Sequence, residues 1–124
     1  MLNDCTILLV EDEALIALDL AMTLEDEGAQ VEGPFATVPT ALPACCAVDV
    51  ALLDVDLCGT KVFPVADRLM AEGKPFVFHT GRPDRELLAG RYGADVTILL
   101  KPTRSAQIVE ALREALDRAR ARVH

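Results

Sequence analysis

The stretch DVALLD, residues 49–54, decides the fold class of this chain. Its middle is a continuous apolar run of strand length, with no polar alternation. Such a run is typical of a central strand in a parallel sheet, because helices cover both faces of that strand. The stretch therefore predicts a buried parallel strand that ends in the carboxylate of Asp54.

Apolar runs and amphipathic stretches alternate on both sides of this strand. The further predicted strands are residues 6–10, 30–33, 75–80 and 96–100. The predicted helices are residues 14–27, 37–47, 63–72, 84–91 and 104–122. Five successive strand–helix units predict one α/β domain over residues 1–124, a doubly wound five-stranded parallel sheet with helices on both faces.

Two of the predicted helices carry particular signals. Thr37 is a candidate N-cap, and Pro43 lacks the N–H group that a helix interior needs, so we expect the second helix to be short or kinked. Apolar residues recur at helical spacing in the first helix and predict its buried stripe. They are Leu15, Ile16, Leu20 and Leu24.

Composition excludes several classes of protein. The 124 residues are 52% hydrophobic, so the chain can bury a core and is not a disordered segment. A net charge of −8 argues against a nucleic-acid partner, which would need a basic face. No apolar run is long enough to span a membrane, and we expect no membrane partner. The four cysteines form no C-x-x-C pair, so we expect free thiols in a reducing cytoplasm.

Polar residues stand where four of the predicted strands end. In chain order they are Glu11 and Asp12, then Asp54 with Asp56, then Thr80, then Lys101 with Pro102. The carboxyl ends of parallel strands share one edge of the sheet, so these residues are predicted to converge there.

The convergence predicts a magnesium site for phosphoryl transfer. Glu11, Asp12 and Asp54 would repel one another in a partly buried cleft, and a divalent cation removes that repulsion. Mg²⁺ prefers oxygen ligands and keeps several waters, which leaves room for a phosphoryl oxygen. Lys101 adds a second positive charge and Thr80 a hydroxyl donor, the groups that phosphoryl transfer uses.

These motifs resemble the receiver domains of two-component response regulators. The matching segments are LVEDE (9–13), LLDVDL (52–57), HTG (79–81) and LKP (100–102). The resemblance implies the flavodoxin-like receiver fold, with strand order 2-1-3-4-5, and a histidine kinase or phosphotransfer protein as phosphoryl donor. It implies no enzymatic activity beyond magnesium-dependent self-phosphorylation and autodephosphorylation.

The resemblance also implies a role for each matching residue. Asp54 is the phosphoacceptor, Asp12 binds Mg²⁺ directly and Glu11 binds it through water. Asp56 offers its backbone carbonyl to the metal. Thr80 and Lys101 contact the phosphoryl group, and Pro102 follows a cis peptide bond.

The chain departs from the family's pattern at several positions. Cys58 stands where a proline is common, and Ile98 stands where the family usually has a switch aromatic. The segment 75–81 is similar to a subfamily, often of stand-alone receivers, with the motif Phe-Ala-Thr-Gly-x-Tyr. His79 replaces the alanine of that motif, and Arg82-Pro83 replace its last two residues.

Two other functions remain open. The sequence D-V-D at residues 54–56, with Thr80 and Lys101, is also similar to the haloacid-dehalogenase phosphatases. Those enzymes usually place the motif after their first strand, whereas here it follows the third. A pseudo-receiver that binds without phosphorylation is the third possibility, although such domains usually lose an acidic residue or the lysine.

The absence of a switch aromatic directs attention to the loop after Thr80. We expect Gly81 to give that loop freedom and Arg82 either to pair with the phosphoryl group or to remain a solvated surface charge. The resemblance places the signalling surface on the fourth helix, fifth strand and fifth helix, for a downstream protein or a second copy of the chain.

His79 should lie on the opposite face from Thr80, as a neutral imidazole with one hydrogen-bond partner or as a pH-sensitive group.

Overall fold

A computed structural model describes residues 2–123 and contains a five-stranded parallel sheet with a separate small hairpin. The strands are β1 (Thr6–Val10), β2 (Gln30–Phe35), β3 (Val50–Leu53), β4 (Asp56–Leu57), β5 (Thr60–Lys61), β6 (Phe76–Thr80) and β7 (Thr97–Leu100). The order in the sheet is β2-β1-β3-β6-β7, so β3 is central. The predicted order is confirmed, because β4 and β5 form the hairpin outside the sheet.

Helices cover both faces of the sheet. They are α1 (Ala14–Asp26), α2 (Val38–Ala41), a 3₁₀ helix (Leu42–Ala47), α3 (Phe63–Ala71), α4 (Arg85–Tyr92) and α5 (Ser105–Val123). One layer of core side chains lies between the sheet and α1 and α5. The other lies between the sheet and the remaining helices. None of these helices, within residues 2–123, combines the length and apolar character needed to cross a bilayer.

The second helical segment is short, as predicted. The Thr37 side chain accepts a hydrogen bond from the amide of Thr40 at 3.4 Å and so caps α2. The helix ends at Ala41, and Pro43 lies in the 3₁₀ helix that follows. A proline cannot donate the α-helical backbone hydrogen bond, which accounts for the change of helix type.

The predicted buried stripe of α1 is wrong at one position. Leu20 and Leu24 are buried and Ile16 packs partly against the core, but Leu15 is 83% exposed. With Leu18 and Met22, Leu15 forms a second apolar stripe at helical spacing that faces solvent. Periodicity identifies both stripes, but only the packing of α1 shows which of them is buried.

The second strand extends beyond its predicted end. Residue 33 was the expected limit, but β2 continues to Phe35 through a cis Gly33–Pro34 peptide bond. A Cβ atom at Gly33, which has φ +113°, would lie 2.6 Å from the carbonyl oxygen of Leu9. Only glycine permits β2 to approach β1 so closely at this point.

The hairpin was not predicted from the sequence. Cys58 and Gly59 form its two-residue turn between the paired residues Leu57 and Thr60, with φ +50° and +87°. A two-residue hairpin of type I′ needs positive φ at both turn positions, which glycine adopts freely and cysteine rarely does. The turn places Cys58 at the carboxyl edge of the sheet.

Candidate functional site

Backbone hydrogen bonds bring the polar ends of the strands together. The amides of Glu11, Asp54 and Lys101 each donate, at 2.9 Å, to the last carbonyl of the neighbouring strand. Each of these residues follows its strand directly, so its position is set by the last hydrogen bond of the sheet. The predicted convergence at one edge is confirmed.

Lys101 is the electrostatic centre of the site. Its Nζ lies 2.9 Å from Oε1 of Glu11 and 3.2 Å from Oδ2 of Asp54. Both carboxylates are buried, with exposed fractions of 3% and 6%. A buried carboxylate without a partner lowers the free energy of unfolding by roughly several kcal/mol. The ammonium group is therefore required where these two side chains meet.

Burial and charge act against the ionised form of Asp54. Loss of solvent, followed by the neighbouring charge of Glu11, raises the pKa of Asp54 to about 7, although Lys101 opposes both effects. Burial alone would lower the pKa of Lys101, but its hydrogen bond to Glu11 and the charge of Asp54 raise it. The site therefore holds more negative charge than one lysine neutralises.

The acidic residues have the spacing of a cation site. One carboxylate oxygen from each of Glu11, Asp12 and Asp54 lies within 4.8 Å of the others. Mg²⁺ holds its ligands at about 2.1 Å, so opposite ligands lie about 4.2 Å apart and a small contraction would suffice. Hard oxygen donors, a raised pKa at Asp54 and an open side at Asp12 fit a magnesium ion.

Asp12 occupies the outer part of the site and is held by the hairpin turn. Its Oδ2 accepts hydrogen bonds from the amide of Cys58 at 2.9 Å and from the Cys58 thiol at 3.1 Å. Partial burial favours the neutral acid, but these hydrogen bonds outweigh it and lower the pKa of Asp12. This role for Cys58 was not predicted from the sequence, in which the adjoining Gly59 is the available signal for a tight turn.

Thr80 ends β6, and its backbone carbonyl accepts the hydrogen bond from the amide of Lys101. It is 1% exposed, and its hydroxyl accepts a hydrogen bond from the amide of Arg82 at 3.1 Å. The Arg82 side chain is exposed and makes no ion pair within the part of the chain that the structure describes. Thr80 is thus buried next to Lys101 at the carboxyl edge of the sheet, whereas the Arg82 side chain is exposed to solvent.

Two further expected residues lie at the rim. The Asp56 carboxylate forms an ion pair with Lys61 across the hairpin, so its side chain does not join the cluster of three acids. The peptide bond between Lys101 and Pro102 is cis, as the resemblance implied.

Solved structures with this architecture come from several prokaryotes. The CheY-like response regulator receiver domain protein of Methanospirillum hungatei JF-1 is 25% identical, with a TM-score of 0.82 over 95% of this chain and 98% of that chain. The response regulator receiver protein of Sinorhizobium medicae WSM419 is 29% identical, with a TM-score of 0.83 over 96% and 99%. No protein-family model and no curated protein sequence matches the chain.

The chain has the fold of a response-regulator receiver domain. A third such structure, the signal receiver domain of a modulated diguanylate cyclase from Desulfovibrio desulfuricans G20, is 28% identical with a TM-score of 0.83. The match covers 95% of this chain and 98% of that chain. All three solved domains correspond to nearly the whole of the present chain, so the likeness extends from β1 to α5.

Two of the departures from the receiver pattern, Cys58 and Ile98, lie in distinct places. Cys58 forms the hairpin turn and contacts Asp12, while Ile98 packs against the core on the same sheet face as Phe78. The narrower likeness to the Phe-Ala-Thr-Gly-x-Tyr subfamily stays a prediction.

Proposed function

We propose that this receiver domain accepts a phosphoryl group on Asp54 from a sensor histidine kinase or a phosphotransfer protein, as one step of a two-component phosphorelay. The observation that carries the proposal is the position of Lys101, which contacts Glu11 and Asp54 from the neighbouring strand end. A lysine in this position can neutralise charge on a phosphoryl group attached to Asp54.

The transfer needs only residues that surround Asp54. A carboxylate oxygen of Asp54 attacks phosphorus, the bond to the donor nitrogen breaks, and the donor imidazole keeps the electron pair. Lys101 balances the added charge, and Thr80 donates its hydroxyl to a phosphoryl oxygen. Glu11, Asp12, Asp54 and the backbone carbonyl of Asp56 would hold Mg²⁺, which supplies charge neutralisation for the incoming group.

The raised pKa of Asp54 fits a phosphoryl acceptor that becomes ionised, and therefore nucleophilic, when a cation binds beside it. The ionised carboxylate is the nucleophile, and the burial that raises its pKa also removes competing solvent. Lys101 and a divalent cation both favour the charged form. Phosphorylation should therefore depend on Mg²⁺ even with a small-molecule donor.

We propose that the signal leaves through the surface of α4, β7 and α5. Leu87 on α4 and Leu100 on β7 are large apolar residues that are exposed there. Phosphorylation adds roughly −1.5 to −2 charges, and Thr80 would exchange the Arg82 amide for a phosphoryl oxygen. That exchange would rearrange the loop at Gly81 and Arg82, for a downstream protein or a second copy of the chain.

A phosphatase of the haloacid-dehalogenase type is less well supported. Its second aspartate would act as a general acid beside the first, but the Asp56 carboxylate pairs with Lys61 instead.

The four cysteines are free thiols, two buried and two exposed, in keeping with a proposed location in the cytoplasm.

The proposal is tested with acetyl phosphate as donor. Wild-type protein with Mg²⁺ should form an acid-stable, base-labile adduct that peptide mapping places on Asp54, and Asp54→Asn should not. Asp56→Asn is the matched control and should still be labelled. Labelling elsewhere overturns the assignment, absence of labelling indicates a pseudo-receiver, and sustained release of phosphate from many turnovers indicates a phosphatase.

We also propose that the Arg82 guanidinium pairs with the phosphoryl group on Asp54, and this pairing has its own test. With beryllofluoride as phosphate mimic, chemical-shift changes across residues 81–92 and α5 should shrink in Arg82→Ala, while Asp54 remains modified. Changes of unaltered size would show that Arg82 is a solvated charge without a part in coupling.

A further inference from the structure

The two ends of α4 are held to the rest of the protein in different ways. The buried residues of this helix are Leu88 and Tyr92, in its middle and at its end. Its first turn is exposed throughout residues 84–87. A segment that buries little apolar surface opens locally at low cost, so the start of α4 is its loosely held end.

The last turn of α4 is fastened to α3 through Asp67. The Tyr92 hydroxyl donates a hydrogen bond to Oδ1 of Asp67 at 2.8 Å, and the Arg91 guanidinium donates to Oδ2 at 3.1 Å. The same guanidinium lies over the Phe63 ring, 4.2 Å from its centroid, and Phe63 is one helical turn before Asp67 on α3. One carboxylate thus holds two consecutive side chains of α4, each by its own oxygen.

The Tyr92 ring also packs on the sheet. Its centroid lies 5.4 Å from those of Phe76 and Phe78 on β6 and 6.1 Å from that of Phe63. Such tilted and edge-on pairs attract beyond the effect of buried area, and a hydroxyl buried with them needs the partner that Asp67 supplies. Tyr92 is 8% exposed, so this buried contact anchors the end of α4 to both the sheet and α3.

The loosely held end of α4 is joined directly to Thr80. Residues 81–83 connect Thr80 to Asp84, the N-cap of α4. Within this connection, the Arg82 amide donates a hydrogen bond to the Thr80 hydroxyl at 3.1 Å. Loss of that hydrogen bond would release the chain at the point where α4 buries least.

We propose that α4 is anchored at its last turn, so that residues 81–87 move when Thr80 exchanges its hydrogen-bond partner. The hydrogen bond between Tyr92 and Asp67 keeps the anchored end in place. The inference rests on the proposed phosphorylation, because the phosphoryl group is the new partner of Thr80. The anchor confines the rearrangement to the first half of α4, where Leu87 is exposed to a partner protein.

NMR of the tyrosine ring tests the anchor, since Tyr92 is the one tyrosine of the chain. With Mg²⁺ and beryllofluoride, the amide signals of residues 84–87 should shift about threefold more than those of residues 91–93. The Tyr92 ring signals should stay in place. In Asp67→Ala the ring signals should shift as well, and the two groups of amides should respond by similar amounts.

Two further variants control for a general effect on α3. Asp67→Asn keeps an acceptor oxygen for the hydroxyl and should retain the wild-type pattern. Glu72→Ala removes the other ion-paired acid of this segment, whose partner Arg68 is on α3, and should also behave as wild type. Equal responses of Asp67→Ala and Glu72→Ala would overturn the anchor, as would Tyr92 ring signals that shift in wild type.

Backbone order parameters, measured without a phosphate mimic, separate failure of the anchor from failure of phosphorylation. In unmodified wild type they should be lower at residues 84–87 than at residues 89–92, and Asp67→Ala should remove the difference. Equal order parameters along wild-type α4 overturn the anchor whether or not Asp54 is modified. Absence of any response to beryllofluoride, with the expected order parameters, instead overturns the phosphorylation of Asp54 and the movement that depends on it.

Discussion

The inner and outer parts of the acidic site are built in opposite ways. In the inner part, Glu11 and Asp54 are buried and share one lysine, and the pKa of Asp54 is raised. In the outer part, Asp12 is half-buried and accepts two hydrogen bonds from Cys58, and its pKa is lowered. Carboxylates a few ångströms apart therefore shift in opposite directions, because burial dominates at one and hydrogen bonding at the other.

Under the proposed function, the difference gives the two parts separate tasks. The inner carboxylate becomes a better acceptor only when cations compensate its charge, so its reactivity can depend on Mg²⁺. The outer carboxylate stays ionised over the physiological range and is ready to receive the cation. One acidic cluster thus combines a conditional nucleophile with a permanent ligand.

Removal of Lys101 should destabilise the inner part of the site, and we expect this change to have the largest effect on stability. Lys101→Met leaves two buried carboxylates without a partner and should lower the free energy of unfolding by about 3 kcal/mol at pH 8. Urea denaturation without Mg²⁺ measures the loss. Lys61→Met is the matched control, because its pair with Asp56 is exposed and should contribute only ~0.5 kcal/mol. Equal losses in the two variants would refute the distinction.

The raised pKa of Asp54 should appear as a pH dependence of stability. Between the ordinary pKa of 3.8 and about 7, the unfolded chain has lost the proton that the folded state keeps. Rising pH therefore costs stability across this window, by roughly 2–4 kcal/mol in total. Urea midpoints of wild type and Asp54→Asn, compared from pH 4 to 8 without metal, isolate the contribution.

Mg²⁺ should reduce the pH-dependent difference in urea midpoint between wild type and Asp54→Asn, because the cation favours the ionised carboxylate. If wild type and Asp54→Asn show parallel pH profiles in metal-free buffer, the inner carboxylate does not keep its proton and the contrast fails.

The two parts should also differ in their contribution to metal affinity. Asp12→Asn should weaken Mg²⁺ binding by more than about tenfold, and Glu11→Gln by about tenfold or less, since Glu11 is already paired with Lys101. Calorimetric titration measures both. The reverse order, or unchanged affinity in both variants, would show that the metal lies elsewhere.

The smallest effect concerns the thiol. Cys58→Ala removes one of the hydrogen bonds to Asp12 and should move the pKa of Asp12 back toward its usual value, whereas Cys58→Ser should largely preserve it. Carboxyl carbon NMR follows the titration directly. Identical titration of Asp12 in all three proteins would limit the role of Cys58 to its backbone.

The sheet and the inner site could be predicted because local patterns determine them. Continuous apolar runs mark parallel strands, and the residue after each run lies at the common edge, so Glu11, Asp54 and Lys101 converge without knowledge of any tertiary contact. Thr80 follows by the same argument, since β6 alternates its side chains between the two faces of the sheet.

The remaining features depend on contacts between distant segments. Leu15 and Ile16 are equally apolar, and only the packing of α1 decides which of them is buried. The hydrogen bonds of Cys58 to Asp12 join residues 46 positions apart. His79 was expected to have one hydrogen-bond partner, and that prediction is wrong for the described residues, because neither ring nitrogen has a partner there.

The 2.9 Å hydrogen bonds that end three pairs of neighbouring strands determine where the chain tolerates a change of length. One residue inserted before Asp54 within β3 would turn its carboxylate to the other face of the sheet, away from Lys101. An insertion at the opposite ends of the strands alters only a connecting turn. Length variation is therefore compatible with the proposed phosphorylation of Asp54 at the amino edge of the sheet and incompatible with it inside the strands. The edge farthest from the acids is accordingly the place to graft a peptide tag or a second domain.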